Sequence, residues 1–194
     1  MPDPDLRGVS AFAAVLHPPH ARKRAANVAM TERVGLGIAT LTARKDRTAD
    51  LAEALRTAHG VDLQSGPKVS RAGSLAFVGT GPDTWLAVCE DGGWRFARDL
   101  ARAVEGRGSV CDQSSGYGVL RLSGPNVRDT LAKGVPIDLH PAAFAPGDAA
   151  VTLASHVGIV LWQVDEAPTY DVAVFRSFAA SFAHWLVASA EEFG

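Results

Sequence analysis

Residues Gly116–Pro141 read GYGVLRLSGPNVRDTLAKGVPIDLHP, and every local signal in them agrees on one plan. Val119, Leu120 and Leu122 around Arg121 predict a strand. Ser123-Gly124-Pro125 breaks that strand and opens a helix, because a proline at the first helical position gives up no needed N–H and presets φ. Val127 and Leu131 are four apart and share a helix face. Lys133 lies at the carbonyl end, where a cation is favoured, and Gly134 offers a left-handed cap. Pro136 prevents continuation, and Asp138-Leu139-His140-Pro141 leaves in an extended path. The stretch is a structural joint with no catalyst in it.

Working outward, strands are expected near 149–154, 157–164 and 170–175. A last helix follows, with Ser177 as its N-cap, Phe178, Phe182, Trp185 and Leu186 as its apolar stripe and His184 on its solvent side. The first half runs in the same order. Val34–Ala43 reads as a strand with two glycines. Asp46 or Thr48 can cap a helix carrying Leu51, Leu55 and Ala58, and Gly60 ends it. Val61–Arg71 reads as a loop. Leu75–Val78 and Trp85–Cys89 are strands joined by a hairpin-like turn at Gly79–Asp83. Phe96, Ala97, Leu100, Ala101 and Val104 form a helical face, and Val110-Cys111 starts another strand. Strand, helix, two strands and helix, twice over, is the ferredoxin-like plan. The expected fold is therefore α+β, two ferredoxin-like βαββαβ-type repeats in one compact domain. The expected divisions are an N-terminal arm at 1–30, a first repeat at 31–108 and a second at 109–194.

Composition narrows the function. Hydrophobic residues make up 47% of the 194, enough for a proper core. Lys and Arg number 19 against 21 Asp and Glu, so there is no basic excess of the kind a nucleic-acid binder uses. No apolar run approaches the roughly 18–20 residues of a membrane span. Val9–Leu16 (VSAFAAVL) is short for a secretory signal, with Asp3 and Asp5 before it and basic residues after it. Cys89 and Cys111 form no disulfide framework, and both are expected reduced in a cytoplasmic protein. Each lies in an apolar strand stretch, where a free cysteine acts as a small hydrophobe.

No catalytic, cofactor-binding or metal-binding constellation emerges. GTGPD at 79–83 and GRGSV at 106–110 lack both the Lys-Ser/Thr of a phosphate loop and the dinucleotide spacing, and read as turns. His17 and His20 are separated by two prolines and have no third ligand nearby. The residues left as interface or structural candidates are few. Phe12 and Leu16, with Val15, are apolar anchors by which the arm could lie on a partner. Asp138 and His140 sit in the irregular loop to Pro146. Arg176 stands where a strand ends and a helix begins, suited to pairing with a carboxylate or a partner chain.

A family resemblance covers most of the chain after about Ala26. DQSSGYGVLRLSGPNVRDTLAKGVPIDLHPAAFAPG, the Thr152 strand, YDVAVFRSFAASFAHWL and the terminal EFG resemble the gamma subunit of heterotetrameric sarcosine oxidase. TERVGLGIATLTAR and GPDTWLAV fit the same family. The resemblance implies a cut-down relative of the folate-binding aminomethyltransferase (T-protein) domain. It implies alpha, beta and delta subunits as partners, in a complex that oxidatively demethylates sarcosine to glycine and makes hydrogen peroxide. The one-carbon unit leaves as formaldehyde or passes to tetrahydrofolate. FAD, covalent FMN and NAD, tetrahydrofolate, and zinc then belong to those other subunits, and gamma carries none. Aminomethyltransferases place an acid on the hairpin after the Gly-Pro-helix segment. Here that hairpin is Ala154-Ser155-His156-Val157-Gly158-Ile159-Val160-Leu161-Trp162, with no acid. The resemblance thus implies a non-catalytic assembly subunit. The alternatives are a free-standing folate-dependent aminomethyltransferase, which would need that missing carboxylate, and a gamma-like subunit of a related complex oxidising N-methyl amino acids.

Overall fold

The computed structural model describes residues 9–16 and 27–194. The readings at His17, His20 and the basic run 22–24 lie outside the described residues. In chain order the elements are α1 (Ala13–Leu16), β1 (Ala29–Glu32), β2 (Gly37–Ala43), α2 (Thr48–His59), β3 (Val69–Ala72), β4 (Leu75–Gly81), β5 (Thr84–Cys89), α3 (Phe96–Ala103), β6 (Gly108–Asp112), β7 (Tyr117–Ser123), α4 (Val127–Ala132), β8 (Ala149–Ala154), β9 (Val157–Asp165), β10 (Thr169–Phe175) and α5 (Ala179–Ala190). They form two five-stranded antiparallel sheets, ordered β3-β4-β5-β2-β6 and β1-β7-β10-β9-β8.

Each sheet packs a core against both of its faces, and the period-two alternation of its strands shows how. In β2, Ala39 and Leu41 face a core shared with Leu51, Leu55, Phe96 and Leu100 of α2 and α3. One residue before them, Ile38 faces the other sheet, in a core with Val78, Leu86, Val119, Val160 and Trp162. On the far side, Leu120, Leu122 and Val172 pack against Val127 and Leu131 of α4 and Phe182 and Leu186 of α5. The result is four layers, helix, sheet, sheet and helix, with three apolar cores. The sheet edges are stitched as well. Val69 donates its N–H to the Gly147 carbonyl at 2.8 Å, Ala149 donates to Pro67 at 2.9 Å, and Lys68 pairs with Asp148.

The second sheet is completed from the other end of the chain. In the first sheet β6 follows α3 and pairs with β2. In the second, the slot beside β7 is taken by β1, with Ala29 opposite Ser123 and Glu32 opposite Leu120. The sheets therefore do not divide at residues 31 and 108. Thr31 and Glu32 belong with the second sheet and Gly108–Asp112 with the first.

The joint at 116–141 forms, with its details moved. Gly124 carries the positive φ, 124°, and a Cβ there would stand 2.3 Å from the Asn27 carbonyl oxygen, so this corner lets β1 in beside β7. Pro125 precedes the N-cap Asn126 and is not the first helical residue. Gly134 is not left-handed: Lys133 closes α4 in right-handed geometry. What Gly134 needs is room, since a Cβ would lie 2.6 Å from the Trp185 ring. Lys133 serves a different helix end, reaching the Ser189 carbonyl, Glu192 Oε1 at 2.6 Å and the Phe193 ring. Ser177 is inside a 3-10 turn, and Phe178, 50% exposed, is off the buried stripe. The stretch 61–71 contains the start of β3, whose edge position hides it from an apolar pattern. Gly60 does end α2 in left-handed geometry.

Candidate functional site

The inner face of the second sheet is the place where chemistry and surface coincide. Strand register lays its side chains out in rows. One row runs Arg121, Asp171, Trp162, Ala149, and the next Val119, Ala173, Val160, Val151. A third pairs Tyr117 with Phe175 and Gly158 with Leu153, with Phe175 one step past Val174, which faces Ile159. The first sheet covers the Arg121 row and leaves the Tyr117 row largely bare.

The covered row holds a charge cluster. Asp171 is fully buried. Its Oδ1 accepts from Arg121 Nε at 2.8 Å, and its Oδ2 accepts from Arg121 Nη2 at 2.8 Å and Arg33 Nη1 at 2.7 Å. Arg33, on the connection from β1 to β2, also pairs with Glu90 beyond β5. This fork arrangement is the charge-assisted, bidentate kind, which compensates a carboxylate taken out of water. The Asp171 bonds hold the Arg121 guanidinium above its ordinary pKa. Arg71 of β3 is different: it is exposed, and among the described residues it makes no ion pair or side-chain hydrogen bond. Desolvation lowers its pKa most, and Arg121 and Arg33 add to that against the pull of Asp171. Arg33, Arg71, Glu90, Asp171 and Trp162 are among the residues that line a small hollow of about 20 Å³. The Trp162 Nε1–H is buried without an acceptor.

The bare row is apolar. Phe175 is 47% exposed and stacks on Tyr117, with ring centroids 4.5 Å apart. Leu153 and Val151 on the edge strand β8 are 47% and 58% exposed. Gly158, between Phe175 and Leu153, is open, with nothing within 4 Å of where its Cβ would be. The row is a shallow dip flanked by an aromatic pair and two aliphatic side chains.

The predicted candidates are scattered. Phe12 is 0% and Leu16 2% exposed, both inside this chain's own core, so they anchor the segment to the domain itself. Gly118 of β7 makes the room, since a Cβ there would lie 2.8 Å from the Phe12 ring. Arg176 donates from Nη2 to the Val9 carbonyl at 2.7 Å and so ties down the same segment in place of pairing with a carboxylate. Asp138 and His140 are exposed and occupied locally: Asp138 Oδ1 accepts from the His140 N–H, and His140 Nδ1 from that of Ala142. Burial raises the Cys89 thiol pKa, whereas Cys111 is exposed on the edge strand β6 and is no core hydrophobe. Sequence reading missed the Arg33, Arg71, Glu90 and Asp171 cluster. The available signal was an acid inside the apolar run Tyr170–Phe175, a charge no strand buries without partners.

Among the described residues no group of three or more His, Cys, Asp and Glu could hold a metal. No helix there is long and apolar enough to cross a membrane. An open groove of about 680 Å³ beside α2, lined by Arg47, Asp50, Glu53 and Arg107, is far in kind from an apolar ligand pocket.

Comparison with known proteins places the chain. It is 34% identical over 145 residues to the sarcosine oxidase subunit gamma of Corynebacterium sp. (strain P-1), covering 75% of this chain and 70% of that protein. To the corresponding subunit of Arthrobacter sp it is 37% identical over 147 residues, with the same coverage. A chain of the heterotetrameric sarcosine oxidase from Corynebacterium sp. U-96, solved with pyrrole 2-carboxylate, superposes with TM-score 0.80 at 28% identity over 96% of both chains. The glycine cleavage system aminomethyltransferase T from Bartonella henselae shares the fold over 83% of this chain and 45% of its own, with TM-score 0.62 at 15% identity. The pattern of the family described as "Sarcosine oxidase, gamma subunit family" matches residues 44–192, and the chain belongs to that family.

Proposed function

We propose that this chain is a non-catalytic assembly subunit of a heterotetrameric sarcosine oxidase, braced mainly against the alpha subunit, with beta and delta completing the complex. In this reading the complex is cytoplasmic, and FAD, FMN, NAD, tetrahydrofolate and zinc are held by the other subunits. The observation that carries it is the β8–β9 hairpin. Where a folate enzyme needs a proton-exchanging carboxylate, residues 154–162 supply none, and the hairpin turns an exposed apolar row outward. Among the described residues the one acid on the inner face of the second sheet, Asp171, is committed to Arg33 and Arg121. Space argues the same way. The cavity between the sheets, about 20 Å³, cannot take a pterin, whose pockets run to roughly 300 Å³ or more.

The bare row is the proposed contact with the alpha subunit. Aromatic side chains in a shallow apolar dip are what the buried centre of an interface uses. Co-expression of all four subunits followed by size-exclusion chromatography tests the reading. The native chain is expected to elute with its partners, and Phe175→Ser with Leu153→Asp to elute alone while staying folded. Retention of that double variant in the complex would overturn the placement of the contact. Stoichiometric folate binding by this chain in calorimetry would overturn the non-catalytic reading. A gamma-like role in a complex oxidising a related N-methyl amino acid is the second reading. It is decided by the substrate profile of the assembled enzyme, since substrate choice then lies in a flavin-bearing subunit.

A further inference from the structure

We propose that the outer edge of β8 receives an extended strand of the alpha subunit, which pairs backbone to backbone with Val151 and Leu153. This rests on the reading that the bare row meets alpha, and it specifies the form of that contact. Strand register gives the direction of each backbone group. Gln163 donates its N–H to the Asp148 carbonyl at 3.1 Å, so residue 148 points at β9, as do residues 150, 152 and 154 in the continuous register that follows. The odd-numbered residues point the other way. The Gly147 carbonyl accepts from Val69, and Ala149 donates to Pro67. At the far end, Ser155 donates to the Gly134 carbonyl at 2.8 Å. Val151 and Leu153 lie between these contacts with their N–H and C=O groups turned outward, and no described residue pairs with them there.

The character of this edge says what fits it. The other edge strands each carry a charge: Arg71 in β3, Glu32 in β1 and Asp112 in β6. β8 reads AAVTLA, with no charge, proline or glycine and no bulge against β9. An edge without those defences is a template for another strand. The side chains of Val151 and Leu153, 58% and 47% exposed, carry the bare row out to this edge. One added strand, uncharged and apolar at alternate positions, covers row and edge together. A second copy of β8 does not fit. Paired antiparallel about Thr152, its Ser155 end would need the place beside Ala149 that Pro67 already fills.

The four subunits are co-expressed with Val151→Pro or Val151→Ala in this chain and separated by size. Proline removes the outward N–H and costs β8 no bond to β9, so Val151→Pro is expected to fold, to melt within a few degrees of the native chain and to elute without its partners. Val151→Ala trims the side chain, keeps the N–H and is expected to stay in the complex. Assembly of Val151→Pro at native yield overturns the strand pairing. The contact itself then stands if Phe175→Ser with Leu153→Asp still dissociates, and falls if that variant assembles too. Amide exchange reads the unaltered chain. The Val151 and Leu153 N–H groups are expected to exchange roughly tenfold or more slowly in the complex than in the free chain, with Thr152 and Ala154 little changed. Equal exchange at 151 and 153 overturns the proposal. A free chain that dimerises until Val151→Pro is introduced would give the edge to a second copy and overturn the assignment to alpha.

Discussion

The Arg121 row and the Tyr117 row lie on one face of one sheet, a few residues apart along the same strands, and have opposite fates. The first contains the most polar groups and lies largely under the first sheet, with Asp171 fully buried and Arg121 reaching the rim, its side chain 35% exposed. The second contains aromatic and aliphatic groups and is open. Hydrophobicity by itself would have reversed this. The difference is that the first sheet, narrower in its reach, covers only one end. There it must supply Arg33 and Glu90 to satisfy what it buries. The lesson is that burial here follows layer geometry, and side-chain chemistry was fitted to it. The polar row holds the sheets together, and the apolar row is left for another chain.

Breaking the covered row is expected to have the largest effect. Asp171→Ala leaves the Arg33 and Arg121 guanidinium groups uncompensated between the sheets and is expected to cost about 3–5 kcal/mol in urea unfolding. A loss below about 1 kcal/mol would show that the row is less dry than its geometry implies. Phe12→Ala is next, at about 3 kcal/mol, because the ring fills the space above Gly118 in the core between the second sheet and α4 and α5. If that variant unfolds normally but fails to assemble, the segment serves a partner after all. Gly124→Ala is expected to cost about 2 kcal/mol, since its positive φ and its approach to Asn27 admit β1 to the sheet.

The sheet-edge stitch is a smaller term with a pH signature. Partial burial by itself would raise the Asp148 carboxyl pKa, but the Ala145 N–H and the Lys68 ammonium outweigh this and hold it below its ordinary value. A depressed folded pKa means stabilisation is present in full above the unfolded pKa and is lost as pH falls through the folded one. The expected outcome is an acid unfolding limb below about pH 4 that is shallower in Asp148→Asn than in the native chain. An identical limb would remove Asp148 from the account. Least of all in stability is the open row: Leu153→Asp is expected to change unfolding by no more than about 0.5 kcal/mol while weakening assembly. A loss of several kcal/mol there would mean the row is part of the core.

Legibility in the sequence tracked how local each determinant is. The strands expected near 149–154, 157–164 and 170–175, within a residue of those observed, and the helices ending at Gly60 and near Val104 followed from periodicity and glycine placement. Gly134 was misread because a cap and a close approach demand the same residue, and only Trp185, far along the chain, decides between them. Phe12 and Leu16 read as partner anchors because an apolar segment next to prolines carries no sign of which core it joins. The charge cluster was invisible for the same reason, its members being spread from Arg33 to Asp171.

By itself the sequence determined the element order apart from β1 and β3, the repeated α+β plan, the family and the lack of an acid in the 154–162 hairpin. All of these depend on residue type at short spacing. Only the tertiary structure decided that β1 completes the far sheet, that Asp171 is shared by Arg33 and Arg121, and that Phe175 and Leu153 stand uncovered. These depend on which distant surfaces meet, and that is set by the joint packing of four layers and written in no local stretch of the chain.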